Sequence, residues 1–334
     1  FDSLESEDSA ATIHERKLNG GGALVSTKID SGTLDFTVLN SESDDDSDGK
    51  RLGGSRLGGS GVPSGLGGSG GLSKNTRTNF LTARARLSDR PAAGKLTNVS
   101  LPDGGKLDGY SLYLPLSYDE NEDRYPILVT LGGSWTVGKS IDHVNHWGLS
   151  RLVRDESDLS TERNRLLLDS FIIVAPHIQE GQYSDHPDTI QEIVDTVASQ
   201  HRGDTDRVYL TGLSRGGHGT WGLASKLPDT FAAIVPVAGS TDFVDSFEPI
   251  AKSAVWIACN TGDGNYQETE EAINKIENLV DDSFLVIHDP DVSETEYLEK
   301  RYVLTAPQRD HHDAWTELYT RSEVYKWLLK QSKD

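Results

Sequence analysis

With 334 residues the chain has room for one large domain and an appendage. Its 53 acidic against 32 basic residues leave a net charge of −21, which argues against nucleic acid as a main partner, because phosphates are repelled. A single cysteine, Cys259, excludes an intrachain disulfide, and no apolar run reaches the ~18–20 residues of a membrane helix.

The chain begins at Phe1 and contains no methionine, so a processed product is expected, with a leader removed and a secreted or organelle-lumen destination. Residues 1–94 are rich in Gly, Ser, Asp and Thr and are expected to form a separate arm. Within them, residues 23–26 and 33–39 have strand character. An acid run follows at 41–48. Its segment from Asp44 to Gly49 fits the first half of a calcium loop, but the twelfth position is Ser55 rather than a bidentate glutamate and no flanking helix is visible. A solvated acid run is the better reading, and no metal or organic cofactor is expected. Arg51-Leu-Gly-Gly-Ser55 then repeats as Arg56-Leu-Gly-Gly-Ser60 and, degenerately, as Gly65-Leu-Gly-Gly-Ser69. Such a tract loses too much entropy to order itself. It is expected to stay unordered or to lie along a folded surface through Leu52, Leu57 and Leu66, its own surface or a neighbour's, with self-association as one outcome.

From Lys95 to the end the pattern becomes that of a folded α/β domain, 95–334. Alternating runs at 96–101 and 110–116, separated by Asp103-Gly104-Gly105, predict a hairpin. Asn98-Val99-Ser100 is a glycosylation sequon, relevant in a secreted chain. Apolar strand candidates at 127–131, 171–175, 208–211, 234–237 and 255–258 alternate with helical stretches at 189–199, 217–227, 268–280 and 323–330. That order predicts a mostly parallel sheet covered by helices on both faces.

The chemistry concentrates at Gly212-Leu213-Ser214-Arg215-Gly216, a G-x-S-x-G motif. The pattern alone is weak, since glycine and serine are common. Here a strand enters it and a helix leaves it, which puts Ser214 on a tight, strained turn above the sheet. A serine hydroxyl needs a base to take its proton. The acid candidate is Asp263, in Thr261-Gly262-Asp263-Gly264 just after a strand, with Asp289 and Asp291 as competitors after the next strand. By position either His311 or His312 is the base, and His218, directly after the motif, is a candidate pocket residue. For an oxyanion hole, the backbone N–H of Arg215 is one expected donor. The other is expected from Gly132-Gly133-Ser134-Trp135, with Ser134 first and Gly133 next. Trp135, Trp147, Trp221 and Trp315 are candidates for an aromatic wall, although tryptophan is more often core.

The run from Gly212 through Pro236, with Tyr113-Leu-Pro-Leu-Ser-Tyr118, Tyr125-Pro-Ile-Leu-Val129, His312-Asp-Ala-Trp315 and Trp327-Leu-Leu329, resembles the esterase and predicted-peptidase group of α/β hydrolases. That group is related to feruloyl esterases and polyhydroxybutyrate depolymerases. The resemblance covers about residues 95–334. It implies the α/β-hydrolase fold, Ser214 as nucleophile, Asp263 as acid and His312, rather than His311, as base. Three positions depart from the group's pattern. Gly132-Gly133 stands where His-Gly is usual, Cys259 replaces a histidine before the acid loop, and Arg215 often is methionine. The expectation is therefore a serine esterase working through an acyl-enzyme on a small-molecule or polymeric carboxylic ester. A peptidase of the same fold and an inactive structural or assembly relative are the alternatives.

Overall fold

Two units make up the chain, Phe1–Leu87 and Ser88–Asp334. The structure, a computed structural model, describes residues 23–30, 33–40, 91–102, 105–156, 158–288 and 294–333. The acid run, the Arg-Leu-Gly-Gly-Ser repeats, the calcium-loop-like segment, Asp103, and the competing acids Asp289 and Asp291 lie outside the described residues. In the first unit β1 (Ala23–Asp30) and β2 (Thr33–Asn40) pair antiparallel, from Ala23 opposite Asn40 to Asp30 opposite Thr33, over the two segments with strand character.

The second unit opens with β3 (Leu96–Ser100) and β4 (Leu107–Tyr113), then β5 (Tyr125–Leu131), α1 (Gly148–Asp155), α2 (Glu162–Asp169), β6 (Ile172–Ile178) and α3 (Pro187–Gln200). There follow β7 (Gly203–Leu213), α4 (Arg215–Lys226), β8 (Ala233–Val237), β9 (Ala254–Ala258) and α5 (Tyr266–Glu277). The chain closes with β10 (Leu285–Ile287), α6 (Glu294–Leu298), β11 (Tyr302–Thr305), α7 (Trp315–Thr320) and α8 (Ser322–Lys330). The nine strands from β3 on form one sheet in the order β10-β11-β9-β8-β7-β5-β6-β4-β3. All neighbours from β10 to β6 are parallel, while β6–β4 and β4–β3 are antiparallel.

Strand alternation divides the core into two layers, because successive side chains point to opposite faces. On β5, Ile127, Val129 and Leu131 join one cluster and Leu128 the other; on β9, Val255 and Ile257 part from Trp256 in the same way. The first layer is covered by α3, α4 and α5, the second by α1, α2, α7 and α8. On α3 the buried Ile190, Ile193, Val194 and Val197 recur at helical spacing, and Pro187 opens the helix where its missing N–H costs nothing. Replacing one such aliphatic with alanine costs about 2–5 kcal/mol.

Sequence and structure differ in detail. The helix after Ser214 begins at Arg215, not 217, because two helix-weakening glycines are retained there by close packing. Helices α1 and α2 and strand β11 are not evident from periodicity, being only eight, eight and four residues long. No helix among the described residues is long and apolar enough to cross a membrane.

Among the described residues both core layers are built from Leu96 onward. Removing residues 1–87 is therefore expected to leave the far-ultraviolet circular dichroism of the second unit and its cooperative melt in place, with Tm within about 5 °C of the full chain, since ~1 kcal/mol moves a unit of this size only a few degrees. A broad melt, or one lowered by more than about 10 °C, would show that the arm contributes to the core.

Candidate active site

The site lies along the carboxyl ends of β5, β7, β9 and β11, the edge where open parallel sheets receive ligands. At the end of β7 the chain turns directly into α4, and Ser214 caps the helix with φ +53° and ψ −115°. That left-handed φ costs a non-glycine residue about 1–3 kcal/mol, so the surroundings must hold it. They do so by close backbone packing. A Cβ on Gly212 would collide with the Gly216 carbonyl, and one on Gly216 with the Leu131 carbonyl. The Ser214 amide also donates to the Val237 carbonyl at 2.9 Å, tying the turn to β8.

The loops after β9 and β11 bring an acid and a base to this turn. His312 Nε2 stands 2.9 Å from Ser214 Oγ, and His312 Nδ1 stands 2.6 Å from Asp263 Oδ2. With Nδ1–H donating to the carboxylate, the Nε2 lone pair faces the serine hydroxyl. The Asp263 side chain is 2% exposed and that of His312 is 43% exposed, so the carboxylate is dry while the imidazole opens to solvent. Asp263 Oδ1 is engaged by the Asn265 amide at 2.9 Å, which fixes the carboxylate plane. The hydrogen bond that His312 donates to Asp263 holds the His312 pKa above its ordinary value. Burial opposes this, and the Asp263 and Asp313 charges reinforce it.

The third element is the loop after β5. Gly133 precedes a short 3₁₀ turn, Ser134–Thr136, and Thr136 Oγ1 donates to the Gly133 carbonyl at 2.9 Å. A Cβ on Gly132 would stand 2.6 Å from Thr136 Oγ1, so this tight turn has no room for the histidine usual at that position. The Gly132 amide donates to the hydroxyl of buried Tyr183 at 3.1 Å. From below, the wholly buried His177 has one ring nitrogen 2.6 Å from Asp108 Oδ1 and the other 3.1 Å from the Thr136 carbonyl. The Arg215 amide, first in α4, and the Ser134 amide, first in its turn, have no carbonyl behind them within their helices. The Arg215 side chain leans across the gap, donating from Nε to Ser134 Oγ at 3.2 Å and from Nη1 to the Gly181 carbonyl at 2.6 Å. Arg215, next to Ser214, thus links two loops through its side chain.

The structure therefore brings Ser214, Asp263 and His312 into one hydrogen-bonded line, with Ser134, Gly133 and Arg215 beside it. His311 turns the other way, its Nδ1 lying 3.2 Å from Asn260 Nδ2. His218 is half-buried, accepts the Ser240 amide on Nδ1 at 2.7 Å and carries its proton on Nε2; burial holds its pKa low. Three of the four candidate tryptophans line the site. Trp135 lies 5.0 Å from Trp147 and 6.0 Å from Trp315, and Trp315 meets the His312 ring edge-on at 5.3 Å. Trp221 does not belong to that wall. It sits on the inward face of α4, wholly buried beside Phe247. Cys259 is likewise core, its thiol pushed up to about 12 by burial. Sequence reasoning does not reach Asn260, Gly262, His177 or Gly181, whose roles depend on partners far along the chain. Among the described residues no cluster of His, Cys, Asp and Glu is arranged to hold a metal ion.

The prolyl oligopeptidase family matches residues 180–294, a span that includes Ser214 and Asp263 and ends before His312. Poly(3-hydroxyalkanoate) depolymerase C from Paucimonas lemoignei is 43% identical over 51 residues, which are 15% of this chain and 12% of that relative. Among solved structures, a thermostable esterase is similar with a TM-score of 0.54 at 20% identity, over 71% of this chain and 63% of its own. A serine-to-alanine mutant of the feruloyl esterase module from Clostridium thermocellum, complexed with sinapinate, gives 0.50 at 17% identity, over 72% and 89%. The matched part thus spans only a small share of the curated relative and under two thirds of the thermostable esterase. The chain has the α/β-hydrolase fold, and the sequence matches support its resemblance to the esterase group.

An NMR titration of His312 is expected to give a midpoint above 6.5, and Asp263→Asn should lower it, because the main raising interaction is then lost. The folded-state value is raised, so the pair's contribution to stability is complete below the unfolded value and fades as pH rises through the folded one. An unchanged midpoint in Asp263→Asn would contradict this assignment of cause.

Proposed function

We propose that the chain is a serine hydrolase that cleaves carboxylic esters through an acyl-enzyme. The observation that carries the reading is the continuous line from Asp263 through His312 to Ser214, 2.6 Å and 2.9 Å, on a nucleophile turn of strained backbone. In this reading His312 Nε2 takes the Ser214 proton as Oγ attacks the ester carbonyl. The oxyanion is held by the Arg215 amide and by the Ser134 amide, with Gly133 as the neighbouring donor. The tetrahedral intermediate collapses, the alkoxide leaves with the proton from His312, and an acyl-serine remains. Water then attacks the acyl carbon while His312 takes one of its protons, and Ser214 leaves as alcohol. Asp263 keeps the imidazole in the tautomer these steps need and stabilises the imidazolium between them.

The departures from the group's pattern are compatible with this chemistry. Gly132 accommodates the tight loop, and Arg215 contributes its backbone amide, which any residue at that position retains. The exposed Trp135 and Trp147, with Trp315 behind them, offer an apolar wall next to the base for the non-reacting part of the ester. The prolyl oligopeptidase match favours a second reading, amide hydrolysis by the same residues. The acyl-enzyme route serves both, and the leaving group separates them.

The wild-type chain is expected to hydrolyse p-nitrophenyl acetate, and Ser214→Ala to lose nearly all of that rate, approaching the roughly 10⁶-fold loss seen when a triad serine is removed. Peptide p-nitroanilides are expected to be turned over far more slowly than the ester. Equal rates for wild type and Ser214→Ala would leave the inactive-relative alternative standing, and preference for the anilide would favour the peptidase.

A further inference from the structure

We infer that Asn260 is a positioning residue for this site, a buried amide just beyond β9 that joins the acid-bearing loop to the base-bearing loop and sets where His312 stands. The inference rests on the serine-hydrolase reading above.

Asn260 is 1% exposed. Its Nδ2 donates to the His311 carbonyl at 2.8 Å and to the Asp313 carbonyl at 3.2 Å, the two residues that flank His312. The amide's orientation follows from chemistry: the reversed form would press Oδ1 against two carbonyl oxygens, and neither can donate. Its main chain serves the other loop, since the Asn260 carbonyl accepts the Asp263 amide at 3.0 Å. One residue therefore grips the acid through its backbone and the base through its side chain. The chain between the two loops is closely packed around it. The Thr261 amide donates to the Pro307 carbonyl and the Gly262 amide to the Arg309 carbonyl, at 3.1 and 3.0 Å. A Cβ on Gly262 would stand 2.8 Å from that same Arg309 oxygen.

His312 itself is half-exposed, and the loop that carries it has no regular structure between β11 and α7. The bonds to Asp263 and Ser214 hold the ring, while the Asn260 amide holds the backbone on either side of it. Its loss lets the imidazole drift from both partners, and a misplacement of about 1 Å can cost roughly 100-fold in rate. The charged and titratable groups around the ring are Asp263, Asp313 and His218. Of these Asp263 raises the His312 pKa most, so loosening the loop moves that pKa down.

The test compares the full-length chain with Ser214→Ala, Asn260→Ala and Asn260→Ser in p-nitrophenyl acetate hydrolysis across pH, alongside thermal melts and the NMR resonance of the His312 Nδ1 proton. Asn260→Ala, which loses both donors, is expected to lower kcat about 10–100-fold with KM within about 2-fold. Its rising limb should move to lower pH and the Nδ1 proton resonance should shift or exchange away. Asn260→Ser keeps one donor and should recover part of kcat. A folded Asn260→Ala with wild-type kcat and pH limb overturns the inference. So does a variant that only melts earlier, with kcat, pH limb and resonance unchanged, or one that does not fold, because Asn260 is then a folding residue. If the wild type shows no Ser214-dependent turnover, the serine-hydrolase reading fails instead, and the resonance alone still decides whether Asn260 holds His312.

Discussion

The arrangement depends on how closely the β7–α4 turn packs against the end of β5. Ser214 holds a left-handed backbone conformation that a serine on a free turn would leave. It stays because Gly212 and Gly216 let the turn fold on itself and abut the Leu131 carbonyl, with no side chain between. That contact has two consequences. It lifts the Ser214 hydroxyl off the sheet, and it brings the Arg215 amide beside the loop that follows Leu131. The placements of Ser214 and of the Arg215 amide are thus products of one packing constraint. The same constraint explains a local conflict: right after Arg215, α4 carries two glycines, poor helix formers, at the positions where a side chain would push the turn away.

The other half of the site answers to sheet order. β7, β8, β9 and β11 are successive neighbours, so their carboxyl ends line up and the loops leaving them converge although the residues are far apart in the chain. Two features turn proximity into geometry. Asp263 is dry and clamped by the Asn265 amide, so its second oxygen has one direction left for His312. Gly262 has no side chain, so the acid loop can lie against the base loop. The loop after β5 is braced separately, by the Tyr183 hydroxyl at the Gly132 amide and by His177 at the Thr136 carbonyl. Strain at the serine is offset by these rigid supports, which is how a marginally stable chain keeps a strained residue in place.

The sequence reveals those parts of the site whose signal is local. Ser214 announces itself because strand, glycines and helix are contiguous, and the alternating apolar strands foretell a mostly parallel sheet. Asp263 and the His311-His312 pair follow from the order in which the fold supplies them, but periodicity alone does not choose between the histidines. The choice depends on a partner about fifty positions away: the Asn260 amide sits beside His311, while His312 meets Asp263. Trp221 shows the opposite difficulty. Its place near the motif suggests a pocket, yet helical geometry turns it into the core. Arg215 stands out in the sequence as a departure beside the motif, and its acceptors, Ser134 Oγ and the Gly181 carbonyl, lie on two other loops.

If Ser214 is chemically activated by its neighbours, a fluorophosphonate probe reports that state without needing the natural substrate. The full-length chain is treated with the probe, digested, and the adduct located by mass spectrometry. One adduct is expected, on the peptide carrying Ser214, absent after heat denaturation and in His312→Ala, since an isolated serine hydroxyl is a poor nucleophile. No adduct on the native chain, or labelling that persists when His312 is removed, would contradict it.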